Sequence, residues 1–477
     1  MNYFPQLSIC YALNLPINPV AIKDAHKQIP KSTFGVFVSI ERSIHQKLQT
    51  WPFNNHGCIG YYNTSYTPMA PDDIIHNMFQ VSKSATFEDS RNEYFLPIFD
   101  DSFAKYIVYL MQLPVIPIDP ESGILLTNNH SQVFNNDEFG LIYTDIAGKS
   151  GTYLPKVFLK NEPWWSLKKT LIKKSQGTTE GNFFAYKCII LESTIISVAF
   201  NTEYRQFLCN IFLQNFIYQF YSKFPIYAVS KSNKIILNSS KIYENLFVMN
   251  AVLDIHQKLK KNTPPKLIKN IMKHIQIYIQ MQKQNSLNYT QLAWLLIVMN
   301  KVNDASKSDH DSEIHYICNY LNENLSNMDR MVELPNSLMA IELSCMKSKE
   351  FNLNRNKYGT YIYESELINK NKINNESNEK QINNDLNWIN ESNKSIKHIQ
   401  LLANKLTQSM HYSDIFVYFN SLSIILKYLQ KINIYDEWFK IFHKLHQNYD
   451  RNYGLYKSKN GEKIIQNTCM VYMSLFD

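Results

Sequence analysis

The chain has 477 residues, of which 45% are hydrophobic and 13% aromatic, and it carries a formal net charge of +8. That length exceeds one ordinary core and that apolar content excludes global disorder, so two folded domains are expected. The cations comprise 43 Lys and only 6 Arg, whereas phosphate and guanine are read best by the two-pronged donor of arginine, so nucleic acid is not the expected partner.

The first residues, MNYFPQLSICYALNLPINPVAIK, are apolar but have no basic leading region and are interrupted by Pro5, Pro16 and Pro19, which argues against a secretory leader. No uncharged apolar run reaches the ~20 residues that span a bilayer. The seven cysteines are scattered, without the short spacings of a zinc site. A cytoplasmic protein with reduced thiols, no metal, no cofactor and no membrane partner is the expectation. Over residues 1–200 short β-type runs (35–40, 106–117, 139–144 and 185–191) alternate with helical stretches, one starting at Pro71 and one at Pro163. This is the pattern of an α+β domain, expected here as a mixed sheet with helices.

Three segments of this first part carry candidate chemistry. FGVFVSIER, beginning at Phe34, is followed by HGCIG at 56–60, where the spacing predicts a tight turn holding Cys58 between Gly57 and Gly60. Glycines at those places serve either a positive φ or a close backbone approach. If residues 56–58 are extended, His56 and Cys58 lie on one face with Cα atoms ~6.5 Å apart, the minimum geometry for a thiolate activated by imidazole. The alternative is a small buried cysteine that fills space. SATFEDSR at 84–91 offers Asp89 and Arg91, which suit either a groove that orients a polar ligand or a capped, ion-paired turn. GTYLPKVFLKNEPWW at 151–165 reads as structural, its aromatic pair stapling a helix onto the sheet.

Beyond residue 200 the β signals thin out. Amphipathic helices are expected over 204–224, 242–260, 267–282, 292–302, 312–324, 336–346, 396–408, 414–429, 435–446 and 464–475, interrupted by an exposed asparagine-rich insertion near 369–385. SNKIILN at 232–238 and GEKIIQN at 461–467 echo one another, each as a polar turn ahead of a helix. An all-α helical-hairpin array over 201–477 follows, similar to an α/α toroid. A toroid with glycosidase- or cyclase-like activity needs carboxylates facing a cleft, for which Glu364, Glu366, Asp436 and Glu437 are the candidates. Dinucleotide, P-loop and zincin motifs are absent from the sequence.

The order of FGVFVSIER with HGCIG, then SATFEDSR, then TYLPKV with its tryptophans resembles the AMMECR-one domain family over the first two fifths of the chain. Two departures stand out: the family's typical segment has arginine where this chain has His56, and Phe-Pro after the arginine where it has Asn92 and Glu93. The resemblance implies a protein of undefined biochemistry that works as a ligand- or partner-binding module in a modification pathway, with Gly57, Gly60, Asp89 and Arg91 at the site. It further implies Memo-type or radical-SAM proteins as associates and a small polar ligand or peptide as the bound species. An enzyme using Cys58 as nucleophile and His56 as base is the first alternative, and the C-terminal toroid activity the second.

Overall fold

The computed structural model describes residues 3–42, 55–89, 98, 101–127, 132–156, 162–284, 286–306, 311–324, 327–328, 340, 419, 423, 432–457 and 463–476. Arg91, Glu364, Glu366, the asparagine-rich insertion at 369–385 and the helices expected over 336–346, 396–408 and 414–429 fall outside the described residues, apart from single positions. The chain divides into two compact units, one formed by Met1–Tyr204 with Lys431–Gln447, the other by Arg205–Gln430 with Asn448–Asp477.

The first unit opens with α1 (Tyr3–Ala12) and α2 (Pro19–Gln28), elements the sequence reading passed over because of the prolines. Pro19 stands at the first helical position, where its missing N–H costs nothing, and Asn18 caps the helix by accepting from the Val20 amide. Next come β1 (Thr33–Glu41), β2 (Asn55–Tyr62), α3 (Pro71–Phe87), β3 (Lys105–Ile118), β4 (Ile124–Leu125), β5 (Gln132–Val133), β6 (Gly140–Asp145), β7 (Ser150–Tyr153), α4 (Trp164–Ser175), β8 (Gly181–Thr194) and α5 (Ile195–Ala199). Eight strands form one sheet with the path β2-β1-β3-β8-β6-β7 and β4 and β5 attached to β3. The expected mixed sheet is in fact antiparallel at every described pairing. Helices α3 and α4 do carry the chain across from β2 to β3 and from β7 to β8, but β1 lies between the first two strands and β6 between the second two, so the described pairings are all antiparallel.

Alternation along the strands explains the two faces. Leu141 and Tyr143 of β6 and Phe183 and Ala185 of β8 join one apolar cluster with Leu167 and Leu171 of α4, whereas Ile142 and Tyr186 turn to a second cluster with Phe34, Phe37, Tyr109 and Leu154. β1 is buried along its length except at Glu41, as a central strand must be. The stapling role of the tryptophan pair falls to one ring: Trp164 meets Phe183 edge to face at 5.4 Å and donates to the Pro120 carbonyl, while Trp165 is 68% exposed.

The second unit holds most of α6 (Thr202–Phe212), then β9 (Ala228–Val229), β10 (Ile235–Ile236), α7 (Ile242–Lys258), α8 (Pro265–Lys283), α9 (Tyr289–Ser306) and α10 (Asp311–Glu323). After α11 (Ile432–His446), which belongs to the first unit, it resumes with β11 (Tyr449–Asp450), β12 (Leu455–Tyr456), β13 (Lys463–Ile464) and α12 (Ile465–Phe476). The all-α expectation is corrected here by two small antiparallel sheets. In the echo of SNKIILN and GEKIIQN the apolar part is strand, reached in the first copy through a turn at 230–234: β10 and β13 flank β9 on either side, Ile235 and Lys463 both opposite Val229. The helices that follow, α7 and α12, pack on each other. α11, expected in the helical part, instead packs in the first unit, with Trp438 and Tyr435 against Phe200 and His443 near the Leu13 carbonyl.

Candidate functional site

HGCIG is not a turn. Its residues form β2, which ends the sheet path among the described residues and pairs with β1, so that Ser39 faces Cys58 and Phe37 faces Gly60. The glycines are required by close approach, not by a positive φ. A β-carbon on Gly57 would stand 1.9 Å from the Ala85 carbonyl oxygen in the last turn of α3, and one on Gly60 would stand 2.0 Å from the Phe37 ring. Gly57 therefore lets helix backbone lie directly on strand backbone, which fixes where α3 ends relative to β2.

That placement brings the second motif to the first. α3 closes with the Glu88 and Asp89 amides both donating to the Ser84 carbonyl, and Asp89 then turns back so that its carboxylate accepts the Cys58 amide at 3.0 Å. The bond covers one of the N–H groups that an outer strand otherwise leaves open. Two carboxylates at the C-terminal end of a helix oppose its dipole. Here Glu88 is compensated by the Ser84 hydroxyl at 2.6 Å and Asp89 by the Cys58 amide.

Gly57 faces α3, so by strand alternation the Cys58 side chain is on the other face of the sheet. There it packs half-buried on the aromatic cluster of Phe37 and Tyr109, with Cys188 beside the same cluster. Burial pushes the Cys188 thiol far up and raises the Tyr109 hydroxyl, the latter further opposed by Cys58. The described packing on this face is apolar and aromatic. Of the predicted site residues, Gly57, Cys58, Gly60 and Asp89 are brought together. The backbone of His56 lies in β2, its side chain is outside the described set, and Arg91 is outside it altogether.

A buried polar group escaped the sequence reading. Arg42, at the end of β1, pairs with Asp101 at 3.8 Å with both side chains essentially inaccessible. The neighbouring Ser102 donates its amide (2.9 Å) and hydroxyl (2.6 Å) to Asp436 of α11. Asp436, a candidate hydrolytic carboxylate from sequence, is thus engaged in anchoring α11. The signal was present: in a chain with 43 lysines and 6 arginines, an arginine closing an apolar strand marks a place where a forked, permanently charged donor is required. Thr86 of α3 and Tyr106 of β3 share a hydrogen bond of 2.8 Å in the same interior, and TYLP is structural too, Thr152 bonding Tyr186 at 3.0 Å.

The chain matches no protein-family model and no curated protein. No helix among the described residues is long and apolar enough to cross a membrane, and no His, Cys, Asp and Glu group among them is arranged to hold a metal ion.

Proposed function

We propose that the first unit is a binding module of the AMMECR-one type, which takes a small polar ligand or peptide along the outer edge of β2 where α3 ends, and serves a modification pathway in company with Memo-type or radical-SAM proteins. The observation that carries this reading is the bond from the Cys58 amide to Asp89, because it joins two motifs 31 residues apart at a part-buried strand edge. A strand edge presents alternating donors and acceptors to an extended peptide, and a carboxylate already seated on that edge supplies an acceptor for an amine or amide. The packing of Cys58 on the aromatic cluster supports reading it as a space-filling side chain of the binding edge.

The test is a screen of short peptides, amines and amides followed through the amide resonances of Cys58, Ile59 and Gly60. Binding should perturb these signals, survive Cys58→Ser and be lost in Asp89→Ala. Ligands that leave the three amides unmoved, or a Cys58 thiol that alkylates faster than free cysteine at neutral pH, would count against the proposal.

A further inference from the structure

The second unit contains a groove of about 540 Å3 that none of the sequence motifs foresaw, a volume within the usual ~300–1,000 Å3 of small-molecule sites. One wall is a single stripe of α8: Asn270, Lys273, His274, Ile277, Tyr278 and Met281 recur at the three- and four-residue spacing that places them on one helical face. The packed side of the same helix, Leu267, Ile268, Ile271, Ile275, Tyr278 and Gln282, meets this stripe at Tyr278. The other wall comes from 222–225, 237–240 and the first turn of α7.

Two properties of the lining select a ligand. The first is charge. Lys223 and Lys273 line the groove and no Asp or Glu does; neither lysine has a carboxylate partner among the described residues. The N-terminus of α7, the positive end of its dipole, adds to the same sign. Glu244 in that first turn is outside the lining and is held by Lys241 at 3.3 Å. The second property is apolar exposure. Large hydrophobic side chains exposed in this unit among the described residues are Leu237 (57%), Ile277 (44%) and Tyr316, and the first two both line the groove, along with Phe224 and Met281. Solvated apolar surface beside unpaired cations is complementary to a molecule having both an apolar body and a negative head. The polar lining is set in place by protein bonds: Asn245 donates to the Asn238 carbonyl at 3.0 Å and Asn270 to the Tyr221 carbonyl. His274 has a ring contact with Tyr278 but no hydrogen bond within the described protein, leaving an imidazole to meet the ligand.

We propose that this groove binds an amphipathic carboxylate, its head held by Lys223 and Lys273 and its hydrocarbon body covering Leu237 and Ile277. The experiment is calorimetric titration of the full chain with decanoate, decanol and inorganic phosphate in parallel. Decanoate should bind at least about tenfold more tightly than either control. Lys223→Glu combined with Lys273→Glu should weaken decanoate about tenfold or more, as should Ile277→Asp, while Lys231→Glu, an exposed lysine outside the groove, should leave binding unchanged. All four positions are solvent-facing, and circular dichroism will confirm that the variants fold. Equal binding of decanol would refute a role for the cations, equal binding of phosphate would refute a role for the apolar wall, and indifference to both groove variants, or no binding of decanoate, would refute the site.

Discussion

Replacing Gly57 by alanine tests the contact on which the candidate site rests. The new methyl carbon would stand 1.9 Å from the Ala85 carbonyl oxygen, more than 1 Å inside the ordinary limit of roughly 3.2 Å for such a contact. Both partners are backbone, so no side chain can rotate away, and α3 and β2 must separate. Overpacking of this kind costs about 1–3 kcal/mol. Separation also strains the Cys58 amide bond to Asp89, whose loss adds roughly 1 kcal/mol once its partial exposure is allowed for. A total of about 2–4 kcal/mol corresponds to roughly 5–15 °C in melting temperature for a unit of this size. Because the chain has two units, the effect should be localised by hydrogen exchange, read on the peptide that covers 55–62, together with urea unfolding. Gly148→Ala is the matched control: its φ of +81° makes alanine strained, but nothing lies within 4 Å of the added carbon, so only ~1 kcal/mol is expected. If Gly57→Ala unfolds at the same urea concentration as Gly148→Ala and leaves exchange over 55–62 unchanged, the close approach of α3 to β2 is wrong.

Asp101→Ala should destabilise the first unit by ~3–5 kcal/mol, because it removes a carboxylate that pairs with the inaccessible Arg42 guanidinium; the double replacement Arg42→Met with Asp101→Leu should recover most of that loss in urea unfolding, and failure to recover would mean that either residue does more than pair with the other. His446 is buried, and that burial holds it neutral down to about pH 3 despite the bond of its ring nitrogen to the Phe442 carbonyl. The unfolded chain takes up a proton below ~6.5 that the folded one refuses, so between pH 6.5 and 3 stability should fall by ~1.4 kcal/mol per pH unit for this group. His443 acts in the same direction. His446→Gln should remove about one proton from the slope of stability against pH over pH 4–6; an unchanged slope would show that His446 does not titrate on unfolding. Burial pushes the Cys10 thiol up to about 12 and raises those of Cys209 and Cys469 as well, so iodoacetamide at pH 8 should modify these three only at the rate of unfolding, as mass spectrometry of timed digests can verify.

How much of this was legible beforehand depends on the range over which each feature is fixed. Helix α4 begins where Pro163 allows it, and α3 where Pro71 stands at its first position ahead of Ile74, Ile75 and Met78. α7 to α10 likewise follow their apolar periodicity, because a helix is specified by residues a few positions apart. The α1 and α2 helices were missed because prolines were read as interruptions when they occupy first turns. β2 was missed because two glycines in five residues read as a turn. What those glycines accommodate is Ala85 and Phe37, 28 and 23 residues away in sequence, and no local pattern reports a distant neighbour's position.

By itself, then, the sequence determined the mixed helix-and-strand character of the first two hundred residues, the helical character of much that follows and the repeated segment around KII, since each depends on short-range spacing. Only the tertiary structure decided that the two KII segments share the strand β9, that Asp89 closes on the Cys58 amide and that α11 returns to the first unit through Asp436. Those are agreements between remote parts of the chain, settled by which surfaces exclude water together and which buried polar atoms find a partner there, and no window of consecutive residues contains that information.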